Sequence, residues 1–214
     1  MKGGKGIVPP FYAHGGEDVI CRRLFARIGV CSKTAVEFGA HDALYKSNTA
    51  YFRLREGWRC ILFDAEPRSE LVTRAQITAE NINQVFDEAG VPKDLDLLSI
   101  DIDGNDLWVW KALTYRPRVV IIEFNPKWSP RRRRTIPYDA SRGLWDQTDY
   151  YGASAGALVK LAAEKGYALY ASTPSNLIFA LEQYVLRPKN LGEVRQRKKK
   201  EKLDPFNRPW VGYP

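Results

Sequence analysis

Apolar residues along this chain fall into short solid runs, separated by stretches with helical spacing. Ala35 to Phe38 is one solid run and ends at Gly39, and Cys60 to Phe63 is a second and ends at Asp64. Leu95–Ile100 and the RVVIIEF run at 118–124 complete the set. Near-continuous apolar runs of this length are what strands buried on both faces of a parallel sheet require. The first two predict strands at 34–38 and 59–64. Between them, 47–56 reads as a helix stopped by Gly57. Upstream, Val19, Ile20, Leu24, Phe25 and Ile28 form one stripe of a helix over 17–28, ended by Gly29 and expected to cover a sheet edge.

Downstream, 67–75 reads as a short helix and 76–78 as a short third strand. Ile82, Val85, Phe86 and Ala89 predict a helix over 79–89 that Gly90 stops. A helix over 107–113 follows the 95–100 strand, capped by Asn105 or Asp106. Residues 126–151 are irregular and too long for a passive connection, which suggests a lid or binding loop. A helix over 153–166 precedes two last strands, 167–171 and 177–185, read as a hairpin with its turn at 173–176. Strands alternating with helices point to an α/β fold with a mostly parallel sheet and helices on both faces. Residues 1–15 read as an extended arm, 16–187 as the folded domain, and 188–214 as a basic tail, flexible or draped over the body.

The strand ends carry the candidate chemistry. Gly39 lacks a Cβ and lets the backbone approach a ligand. Asp64 follows it by about 25 residues, near the roughly 20 expected for an acid that grips ribose hydroxyls. One glycine falls short of the three of a dinucleotide fingerprint, and no GxxxxGK[ST] phosphate loop is present. A ligand with a ribose and no phosphate fits better, and S-adenosylmethionine is one, with a sulfonium that carboxylates favour. The free amides of the helix that starts near Ser47 could hold its carboxylate; plain capping explains Ser47, Asn48 and Thr49 equally well. Asp101 and Asp103 crowd the end of the third solid run without an ordinary explanation, and Glu123 sits inside the fourth, followed by Asn125. A buried acid needs a partner or a task. All these acids would lie on one edge of a parallel sheet, where open α/β folds bind ligands.

Composition narrows the choice. With 214 residues, 44% hydrophobic and 27% charged, the chain suits one soluble globular domain with decorations. No apolar run approaches the roughly 20 residues of a membrane span, and the start lacks the apolar core of a signal peptide. Three cysteines without metal-ligand spacing read as reduced thiols, so the expected location is cytoplasmic. Two histidines leave too few for a multi-histidine metal site. The net charge of +8 gathers at Arg131–Arg134 and in a tail holding Arg195, Arg197, Lys198, Lys199, Lys200 and Lys202. Such runs are commonly solvated, and they can attract nucleic acid or anionic glycans. Tyr138, Trp145 and Tyr151 in the irregular segment could grip a sugar, a base or an anionic substrate beside those arginines.

GGEDVI at 15–20, VEFGAHD at 36–42, SNT at 47–49 and GWRCILFDAEP at 57–67 resemble the first half of the FkbM-like family of S-adenosylmethionine-dependent methyltransferases. LDLLSIDIDGNDLWVWKAL at 95–113, RPRVVIIEFNP at 117–126 and YYGASAGALVKLAAEKGY at 150–167 resemble its second half, in matching order. The resemblance implies the Rossmann-like, seven-stranded class I methyltransferase fold with a reversed last hairpin. By position it implies Glu37, Gly39, Ala40, Asn48, Asp64 and Asp101 as cofactor-binding residues. Ala43 stands where the family usually has glycine, and His41 where it often has a large aromatic.

The function expected on these grounds is O-methylation of a hydroxyl on a glycan or small molecule. Asp101, Asp103 and His41 are the candidate bases, and Glu123, Asn125, Tyr138, Trp145 and Tyr151 the candidate substrate contacts. Asp101, Asp103 and Glu123 could together hold a divalent cation, although direct contact with cofactor is the expectation and no metal is required. Two alternatives stand beside this: a methyltransferase-like binding protein without turnover, and an RNA methyltransferase using its basic loop and tail.

Overall fold

The computed structural model describes residues 12–143, 145–195 and 204–214. Its centre is a seven-stranded sheet made of β1 (Thr34–Phe38), β2 (Arg59–Asp64), β3 (Thr73–Arg74), β4 (Leu97–Ile100), β5 (Val119–Glu123), β7 (Tyr167–Ser172) and β8 (Asn176–Leu181), in the order β3-β2-β1-β4-β5-β8-β7. Every pair from β3 to β5 is parallel; β8 runs antiparallel to both of its neighbours. The architecture is α/β and Rossmann-like. Strand order reverses between β1 and β4, so their C-terminal ends diverge into a crevice.

Alternation along the strands divides the core into two layers. Val36, Phe38, Leu98, Ile100, Val120 and Ile122 face α3 (Ile82–Glu88), α4 (Asp106–Ala112) and α5 (Ala155–Glu164). Ala35, Leu97, Val119 and Ile121 face α1 (Glu17–Ile28) and α2 (Ala50–Arg55), where Phe25, Phe52 and Trp58 pack ring against ring. Both faces being covered is why these strands read as solid apolar runs rather than alternating ones. Cys21, Cys31 and Cys60 are free thiols. No described helix is long and apolar enough to cross a membrane.

Three expectations change. Residues 67–75 form no helix: Arg68, Ser69 and Glu70 are polar, Leu71 is exposed, and Val72 alone is buried, so the segment has no helical face to bury. It turns instead, and lays Thr73–Arg74 beside β2, which puts the third strand ahead of the expected 76–78. Helix α2 begins at Ala50, because Ser47, Asn48 and Thr49 are drawn to a strand carboxylate. Of the two alternatives for the tail, the described part takes the draped one. Within 126–151, β6 (Arg134–Thr135) pairs antiparallel with β9 (Val211–Gly212). Tyr213 is buried and bonds to Glu164 at 2.9 Å, so residues 204–214 drape over the body. The residues 196–203, which carry most of the tail's charge, and residues 1–11 lie outside the described residues.

Opposite the crevice, a single buried acid holds the sheet's other end. Asp96 accepts the backbone N–H groups of Cys31, Ser32 and Lys33 and pairs with Arg118 at 2.8 Å. Arg118 in turn donates to the carbonyls of Ile28 and Gly29, closing α1 onto the start of β1. Removing one partner strands all the others. Asp96→Ala is expected to cost about 3–5 kcal/mol, measured as a fall in the urea midpoint with unchanged slope.

Candidate functional site

The C-terminal ends of β1, β2, β4 and β5 surround a cavity of about 810 Å³. A second cavity of about 300 Å³ shares Gly39, Asp64, Glu66, Asp101 and Asp103 with it. The smaller one has apolar walls at Phe38, Phe63, Ala65, Ile77 and Ile102. The larger is lined by acids at strand ends and by lid aromatics.

Ten of the residues singled out in the sequence line the larger cavity: Glu37, Gly39, His41, Asn48, Asp64, Asp101, Asp103, Glu123, Trp145 and Tyr151. Ala40, Asn125 and Tyr138 line neither cavity. Ala40 is buried with Ala43, Leu62 and Val72 behind the glycine turn. Asn125 is a strut: its amide nitrogen donates to the carbonyls of Asp149 and Tyr151, and its oxygen accepts from Lys127. Tyr138 bonds to Glu80 and accepts from the N–H of Ala79, pinning the lid to the segment before α3. Arg131 to Arg134 also line neither cavity, and the first three are exposed.

The glycine turn is set by contact. Gly39 has φ +73°, and a Cβ on it would lie 1.8 Å from the carbonyl oxygen of Asp101. Ala43 adopts φ +65° yet is fully buried in its own small apolar cluster, so its methyl group points away from the cavity. His41 and Asp103 also have positive φ, at +47° and +54°. Two backbone amides hold Asp64 in place: those of His41 at 2.8 Å and Glu66 at 2.7 Å, one on each oxygen. Each oxygen keeps a further lone pair.

Glu37 is almost fully buried and accepts from the Ser47 hydroxyl at 2.7 Å, the Asn48 amide at 2.8 Å and the Thr49 hydroxyl at 2.5 Å. Burial raises its pKa against the downward pull of those bonds. Its carboxylate therefore organises the turn before α2 while it lines the cavity. Asn48 donates from its amide nitrogen to Ser99 at 2.9 Å, and its buried oxygen has no hydrogen-bond partner.

Asp101 has its pKa raised well above the ordinary carboxylate range, by burial first and then by Asp103, Asp106 and Glu37. Asp106 is raised by burial as well, although it accepts the N–H groups of Ile102 and Gly104 and so folds the loop that presents Asp103. Asn105 occupies the helix-cap position, but its side chain donates to Asp139 instead. Asp101, Asp103 and Glu123 each bring one carboxylate oxygen within 4.8 Å of the others. Tyr151 is buried, and its phenol is held protonated by that burial and by Glu123 beside it. Trp145 meets Tyr151 edge-on at 6.1 Å, giving the cavity an aromatic wall.

Several lining residues were not signalled by the sequence. His14 and Gly15 come from the segment before α1, fixed because Glu17 accepts the Gly15 N–H at 2.7 Å. Asn176 read as a turn residue and lines the larger cavity, and Arg142, not singled out in the sequence, lines the smaller one. No protein-family model matches the chain, and no curated protein matches it.

Two outcomes follow from this geometry. Gly39→Ala must part the ends of β1 and β4 and also strain a left-handed residue, the strain alone costing about 1–2 kcal/mol; a Tm well below wild type is expected. The raised pKa values of Asp101, Glu37 and Asp106 mean that these three groups hold more protons in the folded chain than in the unfolded one, from about pH 4 up to their folded values. Their own contribution to stability therefore falls as pH rises through that window. Asp101→Asn should flatten this dependence and raise Tm near neutral pH by about 2–4 °C, read by thermal melts across pH.

Proposed function

We propose that the chain is an S-adenosylmethionine-dependent O-methyltransferase of the class I fold, related to the FkbM-like group. The observation that carries the proposal is the meeting of acid-tipped β2, β4 and β5 with the glycine-tipped β1 in one cavity at the point where strand order reverses.

The residues present suit the cofactor. Asp64, steadied by two backbone amides, keeps lone pairs for the two ribose hydroxyls. The apolar walls of the smaller compartment at Ile77, Ile102 and Ala65 suit the faces of a purine ring. The unpartnered Asn48 oxygen is an acceptor for an ammonium group. Asp101 and Asp103 favour a positive charge at the junction of the two compartments. When bound, the cofactor supplies an electrophilic methyl group on a cationic sulfur.

The chain itself supplies position and proton transfer. Trp145 and Tyr151 wall the larger compartment and suit the face of a sugar ring. Holding the acceptor oxygen in line would be the main source of rate. Asp101 or Asp103 takes the hydroxyl proton on a carboxylate oxygen; burial makes ionised Asp101 a stronger base than an exposed carboxylate. His41 lines the same cavity from the glycine turn.

Calorimetric titration with S-adenosylmethionine and S-adenosylhomocysteine tests the reading. Micromolar binding is expected, weakened about tenfold or more, some 1.4 kcal/mol, by Asp64→Ala, with Asp64→Asn intermediate because it keeps one amide contact. A folded wild-type chain that binds neither compound, with or without magnesium, overturns the proposal.

A further inference from the structure

We infer that Asp101, Asp103, Glu123 and Asn176 form a site for one hard divalent cation at the acceptor end of the larger cavity. The three carboxylates come from the end of β4, the loop after it and the end of β5, and their oxygens lie within 4.8 Å of one another. That span is twice a Ca²⁺–O distance of about 2.4 Å, and a slight contraction would suit Mg²⁺ or Mn²⁺.

Asn176 supplies the independent observation. It opens β8 and pairs with Glu123 in antiparallel register, which puts the two side chains on the same face of the sheet. It is 5% exposed and lines the same cavity. Its amide nitrogen donates to Glu17 Oε1 at 2.8 Å, which fixes which end of the amide is which. The oxygen is the other end of that amide, and Asn176 lines the cavity together with the three carboxylates. That oxygen is buried and has no hydrogen-bond partner. Leaving such an acceptor unmet costs about 1–3 kcal/mol, and a cation would meet it. Glu17 also accepts from Thr173 at 2.6 Å, so the amide is braced from behind as metal ligands usually are.

All four donors are oxygens, and no His or Cys joins them, which selects Mg²⁺, Mn²⁺ or Ca²⁺ over softer metals. Four protein ligands leave two positions of an octahedron. Those positions fit an acceptor with two neighbouring oxygens, such as the vicinal diol of a sugar. A cation there would lower the pKa of the bound hydroxyl and fix its direction. This catalytic role rests on the methyltransferase reading; cation binding does not.

The test is titration of the full chain with Mn²⁺ alone, following free ion by electron paramagnetic resonance, with a parallel cofactor titration lacking metal. One ion per chain is expected, with a dissociation constant between about 10⁻⁵ and 10⁻³ M. Glu123→Gln and Asn176→Ala should each weaken it at least tenfold, while Tyr138→Phe, outside the cavity, leaves it unchanged. If Asn176→Ala does not fold, Asp103→Asn takes its place beside Glu123→Gln. No saturable binding at millimolar Mn²⁺, or binding indifferent to Glu123→Gln, overturns the site. Mn²⁺ binding without cofactor binding leaves the site standing and overturns the methyltransferase reading; cofactor binding without Mn²⁺ binding does the reverse.

Discussion

The contact between Gly39 and the carbonyl of Asp101 is the constraint on which the crevice depends. With room for no Cβ, the end of β1 turns directly against the end of β4. That closeness fixes where Asp101 stands and sends the chain on through His41 toward Asp64. Two buried acids then hold the sheet from its two ends. Glu37 gathers Ser47, Asn48 and Thr49 at the ligand end, and Asp96 gathers the start of β1 and Arg118 at the other. Both acids tie β1 to its neighbours, Glu37 from the cavity lining itself and Asp96 from the far end of the sheet. Asp96 is held mainly by backbone amides, whereas Glu37 also relies on the side-chain hydroxyls of Ser47 and Thr49.

Much of this was legible in the chain. Strands β1 and β2 appear with the bounds the apolar runs predict, because strands buried on both faces leave an unmistakable pattern. The glycine turn and the acids at 64, 101, 103 and 123 could be placed because a parallel sheet sends every strand's C-terminal end to one edge. The illegible parts depend on distant partners. Residues 67–75 have helix-compatible residues, but what decides their path is the edge of β2, which no local pattern reveals. The role of Asn176 needs β8 to be antiparallel and in register with Glu123, a pairing across more than fifty residues of chain. Asn125 was a candidate substrate contact because it follows Glu123, and Tyr138 because it sits in a loop with other aromatics and arginines. Their bonds instead hold that loop's own shape.

Ala43 carries a separate lesson. A glycine-like conformation with φ +65° strains any residue with a Cβ, at a cost of about 1–2 kcal/mol. Here the methyl group packs fully buried against Ala40, Leu62 and Val72, and the Ala43 carbonyl accepts from Arg53 at 2.5 Å. Burying a methyl returns about 0.8 kcal/mol, so the exchange is close to neutral.

The distribution of charge separates the ligand classes. The chain carries a net +8, yet the larger cavity is lined by six acids, Glu37, Asp64, Glu66, Asp101, Asp103 and Glu123, against two bases, Lys46 and Arg68. A phosphodiester backbone entering it would meet a group of half-buried carboxylates, whose screening is weaker than in open water. Arg131, Arg132 and Arg133 stand exposed and outside that lining, at the entry to the β6–β9 ribbon. Exposed arginines are free to attract anionic surfaces from a distance, whereas the cavity favours cations and neutral polyols. A basic exterior around an acidic chamber suits a small cationic cofactor and an uncharged hydroxyl acceptor inside it, even when the molecule bearing that hydroxyl is anionic elsewhere.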